Sequence, residues 1–402
     1  DDLLQQESFV NVRQTTNQPG ELAFAIKLNE ERGRLWQTNL AALLESLTGS
    51  RAVVAPGRSN GWQLQFPDHG PQPTDQRPPI TRTCELARTG EWTVVGLASG
   101  RNQLFGEVLD LVREDPTALA QTPKDFWLFA DVDLRRAASA LSLGWDLPAE
   151  LPRITLGVTG DGQTVRTRGQ LNFAKPLPLE LEPWNIPTNL MHEPLVSFTA
   201  IQGIRPWLSS LKLWPGLELE APPNQLYFWA QRGPEFLSYF AAPMTNASNW
   251  VERVTDHLLQ KPNAYLATEG MGRFERSTNG AGAVWAEVLL MAPYLRPVAL
   301  SGGDFVFGGL VPSPLTNRPP APELLQTVLA DTNLVAYDWE TTGPRLDQWL
   351  HFGQLVRFAL HLAQVPPDSV SVAWLQALEP KLGNCVTAIT RTGPAQLSLV
   401  RR

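Results

Sequence analysis

Five histidines, two cysteines and two close pairs of carboxylates are the side chains from which chemistry would have to be built. His69, His192, His257, His351 and His361 offer no pair at i, i+4 with an intervening Glu, the spacing that puts two imidazoles on one zinc. His351 and His361 stand ten residues apart, about 80° round a helix, so they do not share a face. Cys84 and Cys385 lie in no C-x-x-C or Cys/His cluster, which excludes a structural zinc signature and leaves open whether they pair. Neither thiol has a His or Lys beside it to lower its pKa, so each is read as a small apolar filler. No G-x-S-x-G elbow, dinucleotide fingerprint or phosphate loop is present, and no cofactor, metal or catalytic residue is assigned.

The carboxylate pairs are Asp131 with Asp133 and Asp338 with Glu340, each at the end of a strand-like run. Residues two apart on a strand share a face, an arrangement that could hold a hard cation or an acid/base pair. The expectation preferred here is structural: the acids sit in the first turn of the following helix, where free amides and the dipole favour negative charge.

Tryptophan supplies the strongest compositional bias. Trp184, Trp207, Trp214 and Trp229 cluster in a central segment that also holds the proline-rich run from Pro176 to Pro187. Proline lacks the ladder donor, so that run favours extended or edge geometry. Core packing is the first role expected of the indoles. If a ligand site exists, the residues expected to line it are Trp184, Asn185, Asn189, His192, Glu193 and Trp207, where polar and aromatic groups fall on stiffened backbone.

These side chains need elements to position them, and the elements recur. Glu21–Leu28 reads as a strand followed by a helix through Trp36, Leu40, Leu43 and Leu44; Phe236–Ala242 is followed by a similar helix through Trp250, Val254, Leu258 and Leu259. Downstream, Glu91–Leu97 resembles Asp304–Leu310. Trp127–Asp133 with the helical stretch Leu134–Leu141 resembles Leu334–Glu340 with Arg345–Leu362. Each half closes in a hairpin, one turning at Gly160-Asp161-Gly162 and the other at Gly393-Pro394. The fold expected is α+β, two similar lobes related by pseudo-duplication, each a mainly antiparallel sheet with flanking helices. The lobes are residues 1–173 and 234–402, joined by a central connecting segment at 174–233 that should supply strands at Leu195–Ile201 and Gln225–Ala230 and a helix from Ile204 to Leu213.

Across 402 residues, 43% are hydrophobic and 18% charged, which is enough apolar chain for a packed core and excludes disorder throughout. The formal charge of -7 and the absence of basic blocks argue against nucleic acid as a partner. No run of ~18 apolar residues offers a membrane span. The chain opens Asp1-Asp2-Leu3-Leu4 without a basic-then-apolar leader, and both ends read as trimmed.

The stretch Pro183-Trp-Asn-Ile-Pro-Thr-Asn-Leu-Met-His-Glu-Pro194 resembles an uncharacterised bacterial family of hypothetical proteins with no assigned activity. The resemblance carries no functional residue to this chain. The function expected is a noncatalytic binding or structural protein, of the bacterial cell envelope or as a subunit of an assembly, with periplasm or envelope preferred over cytoplasm. Its partner would be a protein or a small apolar, aromatic-stacking ligand. The alternative is a hydrolase whose site assembles only in the fold.

Overall fold

The computed structural model describes residues 2–15, 18–54, 60–67, 81–100, 102–114, 126–134, 151–210, 221–232, 237–260, 262–269, 272–277, 282–286, 292–311, 320, 325–326, 328, 330–359, 365–366 and 369–402. Helices and antiparallel sheets are mixed, so the chain is α+β. The described residues divide into two units, one formed by 1–160 with 171–174 and the other by 161–170 with 175–402. No described helix is long and apolar enough to cross a membrane.

The first unit carries strands β1 (Ser8–Thr15), β2 (Gln18–Lys27), β3 (Val53–Val54), β4 (Gly61–Pro67), β5 (Thr81–Thr89) and β6 (Trp92–Ala98), with helices α1 (Asp2–Gln5), α2 (Glu30–Thr48) and α3 (Gln103–Glu114). The strands order as β1-β2-β6-β5-β4-β3, all antiparallel. Side chains alternate between the faces. One face sets Ala23, Ala25, Val94 and Trp92 against α3, whose Leu104, Phe105, Val108, Leu109 and Val112 recur at helical spacing. The other sets Leu64, Cys84, Leu86, Val95 and Leu97 against Leu40 and Leu44 of α2. Asn29 caps the start of α2 by accepting from the Arg32 amide, and Gly49 closes its end at φ 70°. Gly96 has no room for a side chain, because a Cβ would lie 2.7 Å from the Phe105 ring. A strand pair, β7 (Leu128–Asp133) and β8 (Arg153–Gly160), also belongs to this unit.

The second unit carries most of β9 (Val165–Asn172) and all of β10 (Leu195–Gln202), β11 (Gln225–Gln231), β12 (Ser238–Pro243), β13 (Arg273–Arg276), β14 (Ala283–Ala286), β15 (Tyr294–Leu300), β16 (Gly303–Gly309), β17 (Leu334–Thr341), β18 (Asn384–Gly393) and β19 (Gln396–Arg401). Its helices are α4 (Arg205–Ser210), α5 (Ala247–Gln260), α6 (Pro262–Glu269), α7 (Thr342–Ala359) and α8 (Val370–Leu378). The strands order as β13-β14-β15-β16-β12-β11-β10-β17-β18-β19-β9. The run β11-β12-β16-β15-β14-β13 thus repeats the order β1-β2-β6-β5-β4-β3 of the first unit. At the edge, the side-chain amide of Asn263 on α6 bonds both the amide and the carbonyl of Phe274 in β13, at 2.6 and 2.9 Å.

The segment expected to connect two lobes is instead part of the second unit: β10 and β11 lie inside its sheet, between β12 and β17. Beyond Ser210 the predicted helix lies outside the described residues, as do the stretch after Leu134, His69, His361 and Trp214. The turn before β9 forms as read from Gly160-Asp161-Gly162. Asp161 accepts from the Thr164 and Gln163 amides and the Thr164 hydroxyl, which holds its carboxyl at about 2. Cys84 and Cys385 are both free thiols.

Residues 180–192 run as an irregular strap against the sheet, and several of their backbone groups bond buried amide side chains. Asn224 donates to the Glu180 carbonyl, Gln202 accepts from the Glu182 amide, and Gln231 donates to the His192 carbonyl. Gln225 does both, donating to the Pro183 carbonyl at 2.9 Å and accepting from the Asn185 amide at 3.0 Å. Buried amides are costly unless bonded on both ends, so these side chains serve as the partner strand that the prolines deny. Gln225→Ala should therefore cost about 1–3 kcal/mol and speed hydrogen exchange at the Asn185 amide; unchanged exchange there would remove the clamp.

Candidate functional site

On the strap face of the sheet, Phe198, Tyr227, Trp229, Tyr239, Phe307 and Tyr337 form a closed aromatic core with Trp184, Ile186 and Leu190 packed against it. The opposite face differs. Strand register aligns Phe240 with Phe228, Phe228 with Thr199, Thr199 with Asp338, Asp338 with Thr387, and Thr387 with Arg401. A second row beside it aligns Ser197 with Glu340 and Glu340 with Cys385. Helix α5 covers the neighbouring apolar row of Val306, Ala242 and Leu226 through Ala247, Val251 and Trp250. Between these elements Phe228 stays 42% exposed although its strand is central in the sheet.

The polar groups of this face hold one another in place. Thr199 donates its hydroxyl proton to Asp338 Oδ1 at 2.6 Å. Arg401 reaches Glu340 at 3.6 Å. Arg345, in the first turns of α7, lies 4.9 Å over the Trp349 ring and donates to Gln348, which in turn donates to the Gln231 carbonyl of β11. Burial lowers the Arg345 pKa, while the negative charges of Glu340 and Asp338 oppose that shift. Burial pushes the Cys385 thiol up, against the pull of Arg401, so it stays protonated near neutrality. Thr387 keeps a buried hydroxyl with no hydrogen-bond partner. Together the face presents a ring edge, hydroxyls, two carboxylates and two guanidiniums, a set suited to hydrogen-bonded recognition.

Asp338 and Glu340 do share a face, as their spacing requires. They lie within β17 and not in the first turn of α7, which begins at Thr342, so the helix-dipole expectation fails for this pair. The strand pairing with β10 and β18 carries the backbone past the point where the helix was expected to claim them. Asp131 lies in β7 and forms a two-bond pair with Arg153 at 2.7 and 2.5 Å, a surface ion pair across strands.

The six residues expected to line a site go to different surroundings. Trp184 packs against Tyr227 with ring centroids 6.1 Å apart, and its indole N–H is buried with no hydrogen-bond partner. Asn185 is fixed by Gln225 and by its own bond to the Gly302 carbonyl. Asn189 is exposed in the short 3-10 turn Thr188–Leu190. His192 is half-buried with Nδ1 unbonded, and Glu193 accepts from the Leu195 amide. Trp207 stands 62% exposed on α4. The structure brings Trp184, Asn185 and His192 onto the strap along β11, while Asn189 and Trp207 point to solvent.

Thr199, Phe228, Arg345, Thr387 and Arg401 were not singled out from the sequence. The available signal was polar residues two apart inside apolar strands: Ser197 and Thr199, Asp338 and Glu340, Cys385 and Thr387. Among the described residues, no group of three or more His, Cys, Asp and Glu side chains is placed to hold a metal. The chain matches no protein-family model, and comparison with curated proteins and with solved structures gives no match either.

Proposed function

We propose that this chain is a noncatalytic binding protein and that the face carrying Phe228, Thr199, Asp338, Thr387 and Arg401 is its binding surface. The observation behind this reading is the Thr199–Asp338 bond beside the half-exposed Phe228 ring. It combines an oriented hydroxyl and a carboxylate with an apolar plate, and the neighbouring thiol is held in its protonated form. A nucleophile or general base would need the reverse, a group poised to gain or lose a proton. A thermal-shift screen over metals, nucleotides, peptides and sugars tests the reading, because a ligand that prefers the native state raises its stability by about 2.7 kcal/mol at a hundredfold excess over Kd. At least one class should shift the wild type and lose that effect in Phe228→Ala. Turnover of an ester, phosphoester or glycoside that disappears in Asp338→Asn would overturn it in favour of a hydrolase.

We also infer that the two units descend from one duplicated segment. The shared strand order supports this, as does the placement of α2 and α5, each following the second strand of its run and packing on the sheet, α2 over β4 and α5 over β15 and β16. Superposing β2, β6, β5 and β4 on β12, β16, β15 and β14 should lay α2 over α5. Helices landing on opposite faces would dismiss common descent.

A further inference from the structure

We propose that the ligand of this face is a neutral carbohydrate, an assignment that rests on the binding reading above. Its first support is the sequence of groups along the row. Phe240 and Phe228 lie 6.4 Å apart at one end, and Thr199, Asp338, Thr387 and Arg401 follow across β10, β17, β18 and β19. At about 4.8 Å per strand the row runs about 24 Å, and a pyranose ring is close to one strand spacing in width. A sugar has an apolar C–H face, which a phenyl ring covers, and an edge of hydroxyls that both donate and accept.

The second support is the order of donors and acceptors. Asp338 Oδ1 already takes the Thr199 proton, which leaves Oδ2 to accept from a sugar hydroxyl and leaves the Thr199 oxygen to accept another. The third support is charge. Asp338 and Glu340 are balanced by Arg345 and Arg401, so the face sums to zero and favours an uncharged ligand over a polyphosphate or a basic peptide.

Native affinity electrophoresis tests the assignment on the full chain, whose charge of -7 carries it through the gel. The gels contain a soluble β-1,4-glucan, an α-1,4-glucan, a galactomannan or a β-1,4-linked N-acetylglucosamine polymer. At least one polymer should retard the protein, and free oligosaccharide of the same linkage should relieve the retardation. Phe228→Ala should weaken binding roughly tenfold, equivalent to about 1.4 kcal/mol, and Asp338→Asn by a similar factor. Trp207→Ala, an exposed aromatic off the row, should bind as the wild type does. If Phe228→Ala fails to fold, Phe228→Leu, which keeps apolar bulk and loses the flat ring, replaces it. Retardation by none of the four polymers, or retardation that Phe228 and Asp338 variants leave unchanged, overturns the carbohydrate assignment. Should a nucleoside or peptide then bind in a Phe228-dependent way, the surface remains a binding site for another class; if no ligand depends on Phe228, both readings fall together.

Discussion

Trp229→Ala is expected to destabilise the second unit by about 3–5 kcal/mol. The indole is 2% exposed, stacks on Phe307 with centroids 5.9 Å apart and planes 12° from parallel, and lies 5.8 Å from Tyr239. Its N–H has no hydrogen-bond partner, so truncation breaks no polar contact and the whole effect comes from lost burial and the cavity left behind. Urea unfolding should show the transition of the second unit move to lower denaturant, with Trp229→Phe losing less than half as much. A loss under about 1 kcal/mol would mean that the surrounding rings collapse into the space, contrary to a close-packed core.

Glu21 gives the second large effect. Its side chain is buried beside the first turn of α3, where it accepts from the Gln103 amide at 3.0 Å, the Leu104 amide at 3.1 Å and Arg13 at 2.8 Å. Asn102 completes the cap by accepting from the Phe105 amide. Burial alone would raise the carboxyl pKa. The Gln103 amide, Arg13 and the Leu104 amide outweigh it, and the net pKa falls below the ordinary 4.5. A carboxyl depressed in the folded state adds stability that is present above its unfolded pKa and is lost as pH falls through the folded one. Glu21→Gln should cost about 1.5–3 kcal/mol at neutral pH, the scale of hydrogen bonds to a charged group, since Arg13 keeps its pair with Glu107. The variant should also be flatter than the wild type below pH 4.5, within the acid limb. Parallel stability curves for the two proteins across that limb would exclude the latch.

Much of the strand and helix pattern was legible because burial imposes a period. The apolar stripe of α5 and the apolar runs of β6 and β17 leave their imprint on sequence. Strands β13, β14 and β15 were not, since Arg273, Glu275 and Arg276 interrupt short runs whose extension comes from pairing with neighbours rather than from propensity. The strap shows a different limit. Its prolines announced extended backbone, but Gln202, Asn224, Gln225 and Gln231 are residue types that usually face water, and nothing local marks them as buried clamps. Likewise the Asp338–Glu340 pair was visible as spacing, whereas its partner Thr199 lies 139 residues away and meets it only through register.

Asn263 settles the fate of one margin of the large sheet. An outermost strand ordinarily leaves main-chain groups that can recruit another polypeptide, the route to fibres and swapped dimers. By satisfying both groups of Phe274, a single carboxamide stands in for that incoming chain and leaves it fewer places to attach. Replacing Asn263 by alanine would hand both of those Phe274 groups back to any strand that approached this rim.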